Sequence, residues 1–502
     1  MRQSIATDAD RATALRDDVE RQVDQTLDSV RPQLVELVLV FRAGGVTPRA
    51  FLAFEQALFQ LLLRFGRQLL EIVVNGLAGD GSLLPDDIIY GGLGYRRLRT
   101  KSRNAHVATM FGTICLWRFG YRFWEPWVKE SCVFPLELQL GLLAGVTPAL
   151  ADHIGRKLAE AGSTQHRVLE DLKQEHHVSM GVNRLRKLLA LLHENVAEHR
   201  QSAQVQALLD ALTIANESRG NRKPVLAVGR DGITIRDYKY RFWEVATTAT
   251  VTVFDRAGKR LTTIYLAWPP ESGQAAMSQM MTELLTAVLT QWEGPLPTLA
   301  YIADSGGNES NYFEQTLRWM NHPRTGERLS WERVLDFYHA SERIWAMSAA
   351  LFGQGSSKYH AWAKRMLRIL KAESRGPKRV LHSAAAFAAR IGLAKTRDKD
   401  FRKAYRYLRQ RTKWMRYSEY KKRHIPLGSG ITEAACKTVY TQRLKLSGMR
   451  WTKEGAQHIL TLRTVLLSGT WQVTYSMSLV TRQNALPRPY ARESSNDARI
   501  AA

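Results

Sequence analysis

Cysteine is scarce in this chain, which has only Cys115, Cys132 and Cys436 among its 502 residues. Three thiols form neither a disulfide framework nor a four-ligand zinc site by themselves. Lys129 occupies the position where a Cys-x-x-Cys pair ending at Cys132 needs its first thiolate, so we expect no structural zinc there. The scarcity of cysteine fits a reducing cytoplasm.

Long apolar runs and negative charge are also in short supply. No apolar run reaches the ~18 residues needed to cross a bilayer, and the polar N-terminal segment lacks the layout of a signal peptide. The chain has 72 Lys and Arg against 47 Asp and Glu, a formal net charge of +25. This excess favours a polyanionic partner, usually nucleic acid, and no membrane association is expected. The alternative is a generally basic protein without such a partner.

Length and composition predict several domains. A chain of 502 residues is too long for one core, and 45% hydrophobic residues suffice for a sizeable one. Changes in texture suggest, in order, a helical N-terminal region, a small β segment, a second helical region, a mixed α/β region, a basic helical region, a final α/β segment and a tail. The predicted bounds are 1–97, 98–135, 136–217, 218–340, 341–424, 425–472 and 473–502.

The first 135 residues combine a helix with a small β segment. Apolar residues recur at spacings of three and four from Phe51 to Leu69, after Pro48, and this stripe is equally a core face or a self-association face. The glycine-rich stretch from Gly76 to Gly94 is typical of a loop. The β-branched and aromatic residues between Leu98 and Phe123 predict strands.

Two short amphipathic helices are predicted at Ser163 to His177 and Ser179 to Leu189, joined by a tight turn. The second helix carries polar and basic residues in its first turns, where a recognition helix reaches base edges. These candidate DNA-binding residues are Asn183, Arg184, Arg186 and Lys187. Ordinary helical packing is the alternative, because pairs of short amphipathic helices are common.

After Pro224 the pattern changes to buried strands that alternate with helices. Strands are predicted at Val225–Arg230, Trp243–Phe254, Arg260–Trp268, Thr298–Ala303 and Arg333–Tyr338, with helices at Ser272–Trp292 and Asn308–Met320. The order β-β-β-α-β-α-β is a mixed α/β layout whose later strands need crossover helices.

Two of these strands end at an acidic residue, Asp231 and Asp304. Each acid taken alone fits a turn or a helix cap, because glycine follows closely in the sequence. If the two strands are neighbours, their carboxylates meet at the edge of the sheet where metal and ligand sites collect. Carboxylate oxygens suit Mg²⁺ or Mn²⁺, and two such ions promote phosphodiester cleavage.

The segment from Arg397 to Arg423 is strongly basic, with twelve Lys or Arg and three acids. Four aromatic residues are interleaved with these charges: Tyr405, Tyr407, Trp414 and Tyr417. Like charges at helical spacing repel unless a polyanion compensates them, so the segment favours a helix that faces phosphates. A solvated helix surface is the alternative.

A third acid, Glu433, lies in the tract Pro426-Leu-Gly-Ser-Gly-Ile-Thr-Glu-Ala-Ala-Cys-Lys-Thr438, which continues through Gln442-Arg-Leu-Lys-Leu-Ser-Gly-Met-Arg-Trp451. This tract resembles the Glu-bearing helix of DDE transposases from bacterial insertion sequences, in the ISKra-type branch that is related to Mutator-like elements. The resemblance covers roughly residues 225–470. It implies an α/β RNase H-like (retroviral integrase-like) catalytic core with an all-α insertion at residues 340–424.

The resemblance also implies the roles of individual residues. Asp231, Asp304 and Glu433 would be the catalytic residues and the ligands of two Mg²⁺ or Mn²⁺ ions. Asp336 and His339 match a family motif, Asp/Cys-x-x-His, and would support the site without being among the three ligands. The alternative for this pair is a satisfied strand end.

The cysteines depart from the family pattern. Relatives often carry a Cys-x-x-Cys module near the position of Cys132, which Lys129 interrupts here, so a zinc knuckle is not carried over. Cys436, three residues past the presumed catalytic Glu, is expected to be a small packing residue.

The implied function is that of a transposase in the bacterial cytoplasm, associated with the nucleoid. It would bind terminal inverted repeats, cut double-stranded DNA at the element ends and join them to a target, as a homo-oligomer because two ends are handled together. Candidates for gripping phosphates beside the cut are Lys437, Arg443, Lys445 and Arg450. The alternatives are a non-catalytic DNA-binding protein derived from a transposase, and an RNase H-like nuclease without strand transfer.

Overall fold

The computed structural model describes residues 8–124, 132–236, 243–304, 306–393 and 398–490. Lys129, Arg397 and the last part of the expected C-terminal tail, after Tyr490, lie outside the described residues. Within these ranges, none of the helices combines the length and the apolar character needed to cross a membrane.

The first part of the chain forms six helices and three strands in its described residues. In chain order these are α1 (Asp8–Ala43), α2 (Pro48–Gly76), β1 (Asp87–Tyr90), β2 (Leu93–Thr109), β3 (Gly112–Phe123), α3 (Pro135–Gln139), α4 (Pro148–Ala159), α5 (Gln165–His176) and α6 (Val182–Glu217).

The remainder alternates strands and helices and then becomes mainly helical. Its elements are β4 (Val225–Arg236), β5 (Trp243–Phe254), β6 (Arg260–Trp268), α7 (Ala275–Gln291), β7 (Thr298–Ala303), α8 (Gly307–Gln315), β8 (Trp331–Leu335), α9 (Phe337–Phe352), α10 (Ser357–Ala372), α11 (Gly376–Arg390), α12 (Lys399–Arg411), α13 (Tyr417–Lys422), α14 (Gly430–Ala435), α15 (Lys453–Leu467), α16 (Trp471–Asn484) and β9 (Arg488–Pro489).

The chain divides into two compact units. The first consists of Met1–Leu158, Ser163–Glu194 and Ser476–Ala502, and the second of Ala159–Gly162 and Asn195–Tyr475. We call them the N-terminal unit and the catalytic-candidate unit. The second contains the predicted acids Asp231, Asp304 and Glu433.

The N-terminal unit contains a four-stranded antiparallel sheet of order β3-β2-β1-β9. Two of its strands correct the sequence predictions. Strand β1 lies inside the segment expected to be a loop, where Ile88 pairs with Tyr95. The segment expected to be a tail from residue 473 instead contains most of α16 and all of β9, and Pro489 pairs with Ile88. Both strands are too short to produce a detectable alternation of apolar and polar residues.

The helices of the N-terminal unit agree in part with the predictions. Helix α2 begins at Pro48 as expected, and the Thr47 side chain caps it by accepting a hydrogen bond from the Ala50 amide at 3.1 Å. Helix α5 ends at His176, and its C-cap residue His177 adopts a left-handed conformation. Helix α6, however, runs from Val182 to Glu217 and is far longer than the predicted Ser179 to Leu189.

The catalytic-candidate unit is built on a five-stranded sheet of order β6-β5-β4-β7-β8. Strands β4, β5 and β6 pair antiparallel, whereas β7 and β8 run parallel to β4. The structure therefore confirms a mixed α/β layout. Crossover helices α7 and α8 make the parallel pairings possible, since parallel neighbours need long connections.

Both faces of this sheet are covered, and alternate residues of β4 supply the two cores. Val225 and Ala227 pack in a cluster with helices α9 to α13, whereas Leu226 and Val228 pack with α6, α7 and α8. A strand buried on both faces is a continuous apolar run. That is why the sequence revealed this strand so clearly.

The basic segment is helical, as predicted, but three of its four aromatic residues contact the neighbouring sheet rather than solvent. Tyr417 donates a hydrogen bond to the Leu335 carbonyl at 2.9 Å, and Trp414 stacks on the Arg333 guanidinium at 3.6 Å. Tyr407 donates to the Asp304 carbonyl at 2.6 Å. These contacts cover the edge strand β8 and anchor helices α12 and α13.

Two strand ends differ from the predictions. Strand β4 does not stop before Asp231 but continues to Arg236, because β5 keeps pairing with it after the pairing with β7 ends at Gly229. Strand β8 ends at Leu335 rather than continuing to residue 338. Asp336 instead caps α9 by accepting a hydrogen bond from the His339 amide at 2.9 Å.

Helix α14 lies directly against the sheet at Gly229. A Cβ placed at residue 229 would overlap the hydroxyl oxygen of Thr432 and lie 3.2 Å from the Cβ of that residue. The Thr432 hydroxyl also hydrogen-bonds the Thr250 hydroxyl at 2.7 Å. Glycine at this position therefore allows the helix that carries Glu433 to approach β4 and β5 closely.

We predict that Gly229→Ala lowers the free energy of unfolding by about 1–3 kcal/mol, because the added methyl overpacks the contact with Thr432. Urea denaturation of the purified protein measures the change as a shift in midpoint. The matched control is Gly430→Ala. Gly430 lies on α14 together with Thr432, and a Cβ added at residue 430 meets nothing within 4 Å. Equal midpoints for the two variants would contradict the close packing.

Candidate active site

Three aspartates share one level across the three parallel strands. Gly229 of β4 pairs with Ile302 of β7, so two residues further along each strand Asp231 and Asp304 are level. Ala303 pairs with Leu335 of β8, so Asp304 and Asp336 are level in the same way. The edge at the carboxyl ends of parallel strands is where α/β sheets place ligand sites.

Asp231 is half-buried and responds to the other two predicted acids. Burial raises the pKa of its carboxyl group, while hydrogen bonds from the Gly232 amide and the Cys436 thiol lower it; the charges of Asp304 and Glu433 raise it again. The Gly232 amide donates at 2.7 Å and the Cys436 thiol at 3.4 Å. Asp304 and Glu433 therefore lie close enough to Asp231 for their charges to act on its carboxylate.

Glu433 reaches this edge from the exposed side of α14. The loop before α14 is fixed by Ser429, whose amide and hydroxyl both donate to Asp336 Oδ2, the hydroxyl at 2.9 Å. The same hydroxyl lies 2.7 Å from Glu433 Oε1. Asp336, which is fully buried, thus connects the end of β8 to the loop that leads to Glu433.

The Ser429 hydroxyl contacts two carboxylates but has one proton to donate. It satisfies either Asp336 or Glu433 at a given moment, and the other carboxylate then faces an oxygen lone pair. A cation bound by these carboxylates removes that conflict. Ligand atoms of Asp336, His339 and Glu433 lie within 4.8 Å of one another, so this corner has enough donors to bind one.

The expected division between ligands and supporting residues is less sharp in the structure. Asp336 and His339 were expected to support the site without being ligands, yet their ligand atoms and one of Glu433 all lie within 4.8 Å of one another, close enough to share an ion. Asp336 also has a structural task, since it caps α9 and orders the loop at Ser429.

Glu309 is an acid of this edge that the sequence reasoning missed. It lies in the first turn of α8 and is buried. Burial raises the pKa of its carboxyl group, and the charges of Asp304 and Asp231 act in the same direction. The sequence feature that could have identified Glu309 is its position five residues after Asp304, in the first turn of a helix that begins beside the site.

The donor set fits a hard divalent cation. Asp231, Asp304, Glu309, Asp336 and Glu433 offer carboxylate oxygens, which Mg²⁺ and Mn²⁺ prefer, and the only nearby thiol, that of Cys436, is buried. Among the described residues, these acids gather at a single sheet edge. Such a concentration of like charge is stabilised by cations.

Helix α14 continues into a π-helical turn over Cys436–Thr441. Such turns are rare and are frequent at functional sites. Two side chains of this turn donate hydrogen bonds to the sheet. The Cys436 thiol donates to the Asp231 carboxylate, and the Tyr440 hydroxyl donates to the Thr247 carbonyl at 2.9 Å. It therefore fixes the helix that carries Glu433 against strands β4 and β5.

The predicted DNA-contacting residues divide into exposed and buried groups. The guanidinium of Arg184 donates to the backbone carbonyls of His106, Ala144 and Gly145, so the N-terminal unit itself uses its donors. Arg443 is fully buried against the Trp451 ring, and burial lowers the pKa of its guanidinium to about 10, helped by the charge of Arg463. The exposed members are Asn183, Arg186, Lys187, Lys437, Lys445 and Arg450.

No protein-family model matches the chain, and a search of curated proteins finds no match.

We predict that iodoacetamide alkylates Cys436 at least about tenfold more slowly than Cys132 in the native protein. Cys436 is 7% exposed, and burial raises the pKa of its thiol, as does the charge of Asp231. Cys132 is half-buried. Mass spectrometry of peptides after timed labelling gives the two rates.

The same labelling in urea is the control, since unfolding should equalise the rates. Fast native labelling of Cys436 would show that the π-helical turn after α14 does not hold this thiol against Asp231.

Proposed function

We propose that this chain is a DDE transposase of a bacterial insertion sequence, which cuts and joins DNA strands at its acidic sheet edge. One observation carries the proposal. The register of β4 and β7 makes Asp231 and Asp304 level, and the charge of Glu433, more than a hundred residues later, reaches the Asp231 carboxylate.

The layout of the unit supports an RNase H-like core of the kind the resemblance implies. Three antiparallel strands are followed by two parallel ones, and helices cover both faces of the sheet. Asp231 lies within the first strand of this unit, Asp304 directly follows the fourth, and the glutamate is on a later helix. Helices α9 to α13 occupy the place of the expected all-α insertion.

Each acidic residue has a distinct task in this proposal. Asp231 and Asp304 are attached to paired strands and would bind cations from a rigid edge, whereas Glu433 would complete the ligand set from α14. Ser429 and Asp336 position the loop that leads to Glu433. When bound, two divalent cations would activate the attacking oxygen and stabilise the leaving oxygen of a phosphodiester.

The insertion offers a basic surface that begins beside this edge. Tyr407 of α12 donates to the Asp304 carbonyl, and Arg343 and Arg411 flank its ring at 4.9 and 4.0 Å. The exposed side of α12 carries Lys399, Arg402, Lys403, Arg406 and Arg409. Spacings of three and four put Arg402, Arg406 and Arg409 on one face, which suits a phosphate backbone.

Other exposed residues would contribute to DNA binding. Lys437, Lys445 and Arg450 follow Glu433 and would contact phosphates near the cut, whereas Asn183, Arg186 and Lys187 begin α6 in the N-terminal unit. Arg184 and Arg443 are left out of the proposed DNA contacts, because the protein buries them or uses their donors. Two element ends are handled together, so we propose a homo-oligomer in the bacterial cytoplasm.

The two competing functions are separable by experiment. Joining of pre-cut element ends to a plasmid is expected of a transposase, whereas an RNase H-like nuclease cuts without joining. A non-catalytic DNA-binding protein does neither. Short inverted repeats outside the reading frame would identify the ends to test.

We predict that Asp304→Asn retains binding to element ends but loses strand cleavage by at least about a thousandfold, equivalent to about 4 kcal/mol of barrier. The amide preserves shape and removes the charge that binds cations. Gel-shift and cleavage assays with Mg²⁺ or Mn²⁺ measure the two properties on one preparation.

Asp210→Asn is the matched control, because this aspartate is on the exposed side of α6, where its carboxylate accepts a hydrogen bond from the Gln206 side chain at 2.8 Å. Cleavage by Asp304→Asn at the wild-type rate would remove Asp304 from the site.

We predict that replacing Arg402, Arg406 and Arg409 of α12 with Gln weakens DNA binding and lowers the slope of log affinity against log salt by about 2–3. Each phosphate contact contributes about 0.9 to that slope, through counterion release. Fluorescence anisotropy over a salt series gives the slope.

The comparison variant replaces Lys364, Arg365 and Arg368 of α10 with Gln. These residues are also exposed, and their replacement changes the net charge by the same amount. An identical loss in both variants would indicate a general charge effect rather than a DNA-contacting face on α12.

A further inference from the structure

A second group of metal-binding side chains lies in the N-terminal unit, where α4 approaches the end of α5. It consists of His153, Glu175 and His176, whose ligand atoms all lie within 4.8 Å of one another. The two imidazole rings are 4.9 Å apart between centroids and nearly perpendicular, at 77°. The site belongs to neither the acidic edge nor the basic face of α12.

His176 presents one ring nitrogen in the form that binds metals. Its Nδ1 lies 2.8 Å from the Met110 carbonyl, which accepts hydrogen bonds only, so Nδ1 carries the proton and donates. The other nitrogen, Nε2, therefore has a free lone pair. It is buried and has no hydrogen-bond partner, in a residue that is 9% exposed. An imidazole oriented by a carbonyl through one nitrogen is the usual arrangement of a metal ligand.

Glu175 divides its two oxygens between different partners. Its Oε1 pairs with Lys157 at 3.4 Å, and Lys157 also pairs with Asp171 at 3.2 Å. Its Oε2 lies 4.0 Å from Nε2 of His153 and 4.0 Å from Nε2 of His176. These distances are too long for hydrogen bonds, so the carboxylate faces both rings without bonding to either.

The gap between these atoms has the size of a metal ion. Bonds of about 2.0–2.1 Å to a tetrahedral ion place two ligand atoms about 3.3 Å apart, so small side-chain rotations from 4.0 Å suffice. His176 is also the last residue of α5, where the helix dipole favours a cation. A buried polar nitrogen without a partner costs free energy that a bound ion recovers.

We propose that His153, Glu175 and His176 bind one zinc ion, or a similar divalent ion that prefers imidazole, with a water molecule as the fourth ligand. Two histidines and a glutamate match the nitrogen and oxygen donors that zinc takes. The ion would tie α4 to α5 in the unit that contains Asn183, Arg186 and Lys187. The expectation of no structural zinc rested on the spacing of the cysteines, whereas the ligands of this site are two histidines and a glutamate.

The test is metal binding by the full-length protein, prepared metal-free with EDTA and then titrated with Zn²⁺ in excess Mg²⁺. We expect one equivalent bound per chain, measured by mass spectrometry of the metal content, and a rise in the melting temperature. Co²⁺ in place of Zn²⁺ should give the visible absorption of a tetrahedral site. Excess Mg²⁺ keeps the acidic edge from competing.

Single substitutions locate the ion. His176→Ala, His153→Ala and Glu175→Gln should each weaken Zn²⁺ binding by at least about tenfold and remove the rise in melting temperature. His166→Ala is the matched control, because His166 is on the same helix and pairs with Glu170 at the surface, 83% and 56% exposed. Glu175→Gln tests the idea without removing a buried ring, should His176→Ala fail to fold.

A further variant separates this site from the acidic edge. His339→Ala alters the Asp336, His339 and Glu433 group and should leave the zinc equivalent unchanged. Loss of the ion in His339→Ala, or its retention in both His176→Ala and Glu175→Gln, would overturn the proposal. So would the absence of any Zn²⁺ bound tighter than Mg²⁺ in the wild-type protein.

Discussion

The parallel register of β4 against β7 is the constraint on which the acidic edge depends. Successive side chains of a strand point to opposite faces of the sheet, so Arg230 and Asp231 of β4 lie on different faces. Arg230 is buried beside α7, where its guanidinium donates to Ser278 Oγ at 2.8 Å and Gln274 Oε1 at 2.7 Å. A slip by one residue would move this buried cation to the acidic face and Asp231 into the core. The partners of Arg230 therefore stabilise the register as well as the fold.

Convergence of the distant glutamate depends on a second set of contacts. Gly229 permits the close approach of α14, and the hydroxyls of Thr432 and Thr250 meet across that contact. Ser429 then fastens the preceding loop to the buried Asp336. Because the partners of α14 come from β4, β5, the N-cap of α9 and the loop before α14, the position of Glu433 is determined by tertiary packing and not by its own helix.

Sequence patterns revealed the parts of the fold that rest on local chemistry. Apolar runs identified β4 and β7, and the acids beside them followed from the geometry of neighbouring strands. Glu433 came only from the resemblance, since no periodicity connects it to Asp231. Glu309 was missed because its closeness to Asp304 depends on how α8 leaves the sheet. Arg443 was misleading because a long cationic side chain in a basic tract is usually exposed, whereas Trp451 and the core enclose this one.

The acidic edge and the positive net charge of the chain complement each other only when cations are present. Carboxylates gathered at one edge repel each other and would also repel the negative charge of a phosphodiester. In the proposed function, the arginines that flank Tyr407 and the exposed face of α12 would attract DNA phosphates from beside Asp304. If the carboxylates bind divalent ions, the acidic edge would attract a DNA phosphate instead of repelling it, at the point where the basic surface ends. A path of positive charge would then lead DNA along the insertion and stop at the bound ions, which is the arrangement that phosphoryl transfer requires.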